Sequence, residues 1–392
     1  MNKSKEKFNL VVKTFFGAED LLVEELKNLG AINPVKATRA VMFEGDQRLM
    51  YAANLWCRTA LRILKPFKTF PAANEQQLYD EVQKINWEEL FSLNDTFSID
   101  AVANKSYFTH TQFVAQKIKD AIVDQFRNKY GKRPFVDTAH PTLRINAHIS
   151  EDVCTLSLDS SGESLHKRGY RNEANEAPVN EALAAGLIML SGWKGQEDFV
   201  DFMCGSGTIL IEAGLIARNI PPGMFRSEFG FEKWADFDND LWNEVLDEAQ
   251  DKEIRRPDCR IYGCDISSFT NKIARQNVIN ARMEGVIEVE AMPFHQFKPA
   301  SEKGTVIINP PYGGRLDDGD IEALYKAIGD HLKNNFRGWS AWILTANKDA
   351  AKRIGLHPSR KIPLFNGALE CRFLKYELYE GSKKAKSLKS EV

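Results

Sequence analysis

The chain has 392 residues, 43% hydrophobic and 27% charged, with a formal net charge of -2. This composition is that of a globular protein rather than a disordered one, and the length predicts two or three globular units. A charge so near zero does not mark a nucleic-acid binder, so any such surface must be a local patch.

Residues 8–16 alternate weakly and are rich in Val and Phe, which predicts a strand ended by Gly17. Leu21, Leu22, Leu26 and Leu29 recur at helical spacing over 19–29, before Gly30. A return strand over 35–43 and a helix over 47–56 complete a first α/β unit, 1–60. A second, 61–160, reads as strand 61–70, helix 76–85, strand 96–103 and helix 111–130. Gly131-Lys132-Arg133-Pro134 stops that helix, because Gly accepts a left-handed cap and Pro cannot continue the turn. Strands 143–149 and 153–158 alternate at period two around Ser150-Glu151-Asp152, a hairpin signal.

From Ala182 the pattern changes to short apolar strands at 199–200, 260–263, 306–308 and 340–344, separated by helices. That is the signature of a parallel sheet covered on both faces. Residues 219–257 interrupt it with Pro221-Pro222-Gly223, several aromatics and a helix expected over 239–251. Trp234 and Trp242 in this insertion are expected to cover the parallel sheet. The third unit spans 161–380, and the polar, Lys-dotted 381–392 is expected to be a flexible tail.

No run approaches the roughly 20 apolar residues a membrane helix needs, and MNKSKEKFNLVV lacks a signal-peptide core. Cys57, Cys154, Cys204, Cys259, Cys264 and Cys371 are scattered without a CxxC pair. They fit free thiols in a reducing cytoplasm, with no metal site and no membrane partner.

Three motifs carry chemistry. Asp201-Phe202-Met203-Cys204-Gly205-Ser206-Gly207-Thr208 follows a strand and opens a helix. Gly205 and Gly207 remove side chains where the backbone must approach a ligand. Without a third glycine or a Gly-Lys-Ser/Thr it is neither the dinucleotide fingerprint nor a P-loop. Asp265 ends the next strand, where a carboxylate can hold both ribose hydroxyls of an adenosine cofactor. Asn309-Pro310-Pro311-Tyr312 leaves a buried strand and turns sharply. The Asn309 side chain and the Pro310 carbonyl can accept from an exocyclic amine, and Tyr312 offers a face for a base.

Asn-Pro-Pro-Tyr downstream of Asp-x-x-x-Gly-x-Gly resembles the amino-methyltransferases of adenine N6, guanine N2 or glutamine amides. Leu165-His166-Lys167-Arg168-Gly169-Tyr170-Arg171, residues 201–213 and Asn309-Pro310-Pro311-Tyr312-Gly313-x-Arg315 narrow the likeness over nearly the whole chain. Together they resemble the THUMP-domain RNA methyltransferases, most closely the bacterial large-subunit ribosomal RNA guanine-N2 enzymes. The resemblance implies an α/β protein: a ferredoxin-like unit, an α/β THUMP RNA-binding domain and a C-terminal Rossmann-like class I methyltransferase domain. It implies S-adenosyl-L-methionine bound by Asp201, Met203, Cys204, Gly205, Ser206, Gly207, Thr208, Asp265, Ile266 and Asn309. It also implies a catalytic tetrad of Asn309, Pro310, Pro311 and Tyr312, with large-subunit ribosomal RNA or its precursor particle as partner.

Several residues keep two readings. Lys129, Lys132, Arg133, Lys167, Arg168 and Arg171 form either a phosphate-binding patch or a solvated charged face. His166 touches RNA or cofactor, or sits in a basic linker. Residues 177–181 cross the cofactor or simply start a helix. Glu290 is the acidic candidate for the cofactor's adenine amino group. Cys204 reads as small packing rather than a nucleophile, because methylating an exocyclic amine needs no covalent adduct. The rivals are an adenine-N6 DNA methyltransferase and a binding-only RNA chaperone. A THUMP domain favours RNA, and an intact Asn-Pro-Pro-Tyr favours catalysis.

Overall fold

The structure, a computed structural model, describes residues 6–171, 179–313 and 318–379. The tail 381–392, residues 177 and 178, Gly314 and Arg315 lie outside the described residues. The chain divides into two compact units, one formed by residues up to 14, 22–165 and 226–247, the other by the remainder.

In the first unit the chain order is β1 (Phe8–Thr14), α1 (Glu19–Asn28), β2 (Ile32–Ala37), β3 (Ala40–Gly45), α2 (Gln47–Trp56) and β4 (Ala60–Pro71). Then come α3 (Glu75–Gln83), β5 (Thr96–Asn104), α4 (Thr111–Tyr130), β6 (Phe135–Val136), β7 (Leu143–Ser150) and β8 (Val153–Asp159). The two N-terminal α/β units share one eight-stranded sheet, ordered β2-β3-β1-β4-β8-β7-β5-β6. β4 joins them. Its first residues, Ala60 to Leu64, pair with β1, and Leu64 to Pro71 pair with β8 on the other edge. The register with β8 slips between Pro66 and Lys68, where proline has no N–H to give the ladder. Glu151 and Asp152 turn the β7–β8 hairpin at φ 51° and 59°, as a two-residue loop with both residues left-handed.

Two strand expectations are corrected. The return strand expected over 35–43 is a hairpin, β2 to β3, in which Ala37 pairs with Ala40 and Arg39 turns at φ 54°. The apolar residues flanking Thr38-Arg39 disguise that turn as a continuous strand. β1 ends at Thr14, not at residue 16, and Phe15 and Phe16 belong to the second unit. There the Phe15 ring packs where a Cβ on Gly186 would stand 2.6 Å away, so Gly186 makes room for it. Phe16 meets Phe365 edge-on at 5.6 Å.

The second unit contains α5 (Glu181–Ser191), β9 (Asp198–Asp201), α6 (Thr208–Ala217) and the end of α7 (Asn239–Asp251). β10 (Ile261–Asp265), α8 (Ser268–Asn280), β11 (Ile287–Ala291), β12 (Gly304–Ile308), α9 (Asp318–Asn335) and β13 (Ser340–Thr345) follow. A last hairpin, β14 (Arg360–Asn366) and β15 (Leu369–Glu377), was absent from the sequence expectation. The sheet order is β11-β10-β9-β12-β13-β15-β14, parallel through β13, with β15 antiparallel to both its neighbours. Ile307 faces one core with Leu183, Leu187 and Leu210, while Val306 and Ile308 face the other with Tyr325 and Ile328. Both faces are therefore dry, as the continuous apolar strands require. β10 and β11 build outward on one side of β9 and β12 and β13 on the other, so the strand order reverses between β9 and β12. Open α/β sheets bind ligands in the crevice at the carboxyl ends flanking such a switch.

The expectation for Trp234 and Trp242 is corrected, although Ile220, at the start of the insertion, is buried in a core of the second unit. Residues 226–247 belong to the first unit, where Trp242 lies edge-on to Tyr51 at 5.8 Å and to Phe231 at 5.2 Å. Tyr51 and Phe231 stack at 4.3 Å, and the Tyr51 hydroxyl accepts the Asp238 N–H at 3.0 Å. An aromatic box with a satisfied hydroxyl gives the insertion a core of its own. Trp242→Ala should therefore destabilise the protein by about 3–5 kcal/mol in denaturant titrations. S-adenosylmethionine affinity should be unchanged; a loss of affinity with little loss of stability would return Trp242 to the catalytic sheet.

Candidate active site

The loop after β9 is shaped by two left-handed glycines, Gly205 at φ 53° and Gly207 at φ 81°. A Cβ at Gly205 would meet nothing within 4 Å, so one flank of the turn is open to a ligand. At Gly207 it would lie 3.4 Å from Ala274, so that glycine lets α6 start against α8. The Cys204 N–H donates to the Cys264 carbonyl at 3.0 Å, and the Asn277 amide donates to the Ser206 carbonyl at 3.0 Å. Ser206 and Thr208 are buried beneath the turn.

Asp265 stands at the carboxyl end of β10, half-buried, and each carboxylate oxygen accepts one backbone N–H, from Gly205 at 3.1 Å and Ser267 at 2.9 Å. A carboxylate has about four lone-pair positions, so both oxygens retain acceptors for a pair of ribose hydroxyls. Ile266 beside it is 77% exposed, an apolar surface suited to an adenine face. Glu290, on β11 opposite Cys264, is exposed.

Asp201 is buried and accepts the Met203 N–H at 3.1 Å. Burial pushes its carboxyl up to about 8, with the Asp265 charge adding to the rise and the Met203 hydrogen bond opposing it. Cys204 is also buried, and its thiol is held well above the ordinary range by that burial and by the charges of Asp201 and Asp265. A nucleophilic thiolate is disfavoured there, consistent with a packing role.

The segment before α5 corrects part of the basic patch. Arg168 is 2% exposed; its Nε lies 3.4 Å from the Glu212 carboxylate of α6, which also accepts the Tyr170 hydroxyl at 3.0 Å. Arg168 is thus a buried partner of a buried acid and is not available to phosphates. Arg171 donates to the Thr208 hydroxyl at 2.5 Å and to the Val179 carbonyl at 3.3 Å, and pairs with Glu181 at 3.5 Å. Lys167 remains exposed and His166 half-buried in the same unit, while exposed Lys132 and Arg133 and the Glu88-paired Lys129 belong to the first unit.

The tetrad leaves β12 beside the β9 loop, the two strands pairing through Val306 and Val200. Asn309 and Tyr312 are half-buried, Pro310 is buried and Pro311 exposed. The Tyr312 hydroxyl donates to the Asn309 side-chain carbonyl. Burial pushes the Tyr312 phenol up, so it stays a neutral donor. Three residues that sequence reading missed hold the loop. Tyr325 of α9 donates to the Pro311 carbonyl at 3.3 Å and shares a 2.6 Å bond with Thr345, while the Asn347 amide donates to the Tyr312 carbonyl at 3.2 Å. Their only sequence signal is position: Tyr325 sits in a helix and Thr345 closes β13 at the same sheet edge as the tetrad.

Among the described residues no group of three His, Cys, Asp or Glu could hold a metal ion, and no helix is long and apolar enough to cross a membrane.

Comparison with known proteins identifies the domains of the chain. Residues 168–375 match the model of the RMKL-like methyltransferase domain, 72–159 that of the THUMP domain and 9–64 that of the RlmL ferredoxin-like domain. The chain is 42% identical to a candidate RNA methyltransferase of Synechocystis sp., over 93% of this chain and 95% of that protein. It is also 42% identical to the ribosomal RNA large subunit methyltransferase K/L of Methylococcus capsulatus, over 92% of this chain. The chain spans about half, 50%, of that larger relative. A candidate methyltransferase crystallised with S-adenosylhomocysteine superposes with a TM-score of 0.86 at 32% identity, covering 96% of this chain and all of the other.

Two outcomes test the site. If Asp265 accepts two ribose hydroxyls, Asp265→Ala should weaken S-adenosylmethionine binding by about 2–4 kcal/mol, which calorimetry measures directly. An unchanged affinity would move the ribose elsewhere. Asp201 titrates about 8 when folded, above the ordinary carboxylate value of roughly 4. The native state therefore holds the extra proton, and this contribution, full below pH ~4, is lost as pH rises towards 8. Asp201→Asn stays neutral, so its stability relative to wild type should increase between pH 5 and 8, by up to about 1.4 kcal/mol per unit. A pH-independent difference in unfolding midpoints would show that Asp201 is already ionised in the unliganded protein.

Proposed function

The chain belongs to the RMKL-like methyltransferase family, its cofactor is S-adenosylmethionine, and we propose that it methylates an exocyclic base nitrogen of RNA, namely N2 of a guanine in large-subunit ribosomal RNA. The observation that carries this reading is the placement of Asn309-Pro310-Pro311-Tyr312 across the strand-order switch from the Gly205-Gly207 turn and Asp265. The residues present fit the cofactor: an open glycine flank, a half-buried carboxylate with unused lone pairs and an exposed apolar Ile266.

When bound, S-adenosylmethionine supplies an activated methyl group on a sulfonium. The protein supplies alignment and polarity. An exocyclic amine is a poor nucleophile because its lone pair is delocalised into the ring. Accepting its hydrogens at the Asn309 side-chain carbonyl and the Pro310 carbonyl turns the pair towards the methyl as positive charge develops on nitrogen. Tyr312 offers its ring to the base, and a paired base must flip out to reach it.

Guanine rather than adenine, and a precursor particle as partner, follow from the family resemblance alone, while large-subunit ribosomal RNA is also supported by the names of the K/L relatives. The proposed domain limits are 1–60 ferredoxin-like, 61–160 THUMP and 161–380 catalytic, in a cytoplasmic protein. Exposed Lys132 and Arg133 in the first unit, and exposed Lys167 in the second, are the proposed phosphate contacts.

Asn309→Ala should leave cofactor affinity nearly intact and lower methyl transfer by about two to three orders of magnitude, the scale for one preorganised polar group. Labelled cofactor should mark N2-methylguanine in protein-free large-subunit RNA. Normal turnover in the variant would make Asn309 structural, and label found only as N6-methyladenine in DNA would overturn the substrate.

A further inference from the structure

The tetrad follows a strand but is not itself in regular structure, and among the described residues no backbone N–H reaches the carbonyls of Pro311 or Tyr312. Both carbonyls are instead held from outside the loop. The Tyr325 hydroxyl, fully buried, donates to the Pro311 carbonyl at 3.3 Å. Its oxygen lies 2.6 Å from the buried Thr345 hydroxyl, which in turn accepts the Asn347 N–H at 3.0 Å. One proton assignment satisfies all three bonds: Asn347 N–H to Thr345, Thr345 O–H to Tyr325, Tyr325 O–H to Pro311. The Asn347 side chain closes a second path. Its oxygen accepts the Ala350 N–H at 2.9 Å, which turns its nitrogen towards the Tyr312 carbonyl at 3.2 Å.

We infer that Tyr325, Thr345 and Asn347 are positioning residues that clamp two consecutive peptide carbonyls of the tetrad and so aim the Pro310 carbonyl at the target amine. This rests on the reading of the tetrad as the base site. The Pro310 and Pro311 peptide planes share an α-carbon, so fixing the Pro311 carbonyl limits rotation of the acceptor one residue before it. Tyr325 and Thr345 lie in α9 and at the end of β13, both rooted in the same buried core, so the loop is referenced to the sheet rather than to solvent. Fixing an acceptor before the reaction is how a polar group contributes to rate without reorganising in the transition state.

The test uses the full-length protein, protein-free large-subunit ribosomal RNA and labelled cofactor. Tyr325→Phe and Thr345→Val remove only hydroxyls from near-isosteric side chains, and each should lower kcat roughly tenfold, with KM for RNA and cofactor affinity within about twofold. Thr345→Ser restores the hydroxyl and should restore kcat. The double variant Tyr325→Phe/Thr345→Val should be little worse than either single one, because both break the same chain of bonds. Wild-type kcat in both single variants overturns the clamp, as does a Thr345→Ser enzyme as slow as Thr345→Val with an equal loss of melting temperature. Asn309→Ala is the control that separates the two claims. If it is inactive while the clamp variants are normal, only the clamp fails; if it is fully active, the base-site reading fails and the clamp with it.

Discussion

The second unit depends on one constraint: a parallel sheet buried on both faces cannot place polar chemistry along its strands, only at their ends. Val306, Ile307 and Ile308 spend every side chain on one core or the other, and the first polar residue after them is Asn309. β9 behaves alike, running from buried Phe199 and Val200 into Asp201 and the glycine turn. Because the strand order reverses between these two strands, the loops that follow them diverge and leave a crevice. The glycine turn and the tetrad follow neighbouring parallel strands at the same carboxyl edge of the sheet as a consequence of hydrophobic burial in those strands.

The same burial imposes costs that the structure offsets locally. Arg168 and Glu212 sit in the dry core beside α6, and an isolated charge there would be several kcal/mol unfavourable. They are tolerated because Arg168 pairs with Glu212 and Tyr170 donates to the same oxygen. Burying a pair gains little net stability, but breaking it would leave a stranded charge, so the chain before α5 is tied to the helix that begins at the cofactor turn. Arg171 adds a bond to Thr208 at the first turn of that helix. Asp201 differs: burial raises its carboxyl, and the Asp265 charge adds to the rise, which favours the protonated form.

Much of this was legible in the sequence because it rests on short-range rules. α2 and α4 begin and end where the pattern places them, capped by Asp46 and stopped by left-handed Gly131. The Gly-x-Gly turn, Asp265 and the tetrad could be read because each follows an apolar strand. What escaped depends on distant partners. That β4 joins both N-terminal units follows from pairing on its two edges, which no local pattern encodes. Trp242 reads as a core residue, but which core is decided by Tyr51, far away in sequence. Arg168 reads as a surface cation because its acid, Glu212, lies beyond a helix, a strand and a turn. Tyr325, Thr345 and Asn347 carry no motif at all.

The hydrogen bond from Tyr312 to Asn309 bears on how the site could accept a base. It occupies one lone pair of the carbonyl that the proposed mechanism assigns to the target amine. An amide oxygen has two, so both donors can be accommodated, but an oxygen already accepting a hydroxyl is a weaker acceptor for the amine. A single neutral hydrogen bond contributes only about 0.5–1.5 kcal/mol net. Stacking a base on an aromatic ring is worth about 1–3 kcal/mol, comparable with that one bond, so an entering base can compete for the ring, whose hydroxyl the Asn366 and Cys371 side chains also hold. Asn309 would then be satisfied by Tyr312 while it waits and by the substrate when it acts, so a half-buried acceptor is never left unpaired. The carbonyls of Pro311 and Tyr312 do not depend on that exchange, because Tyr325 and Asn347 hold them from the sheet side. The loop can therefore give up one hydrogen bond at its tip without losing the frame that aims the other acceptor.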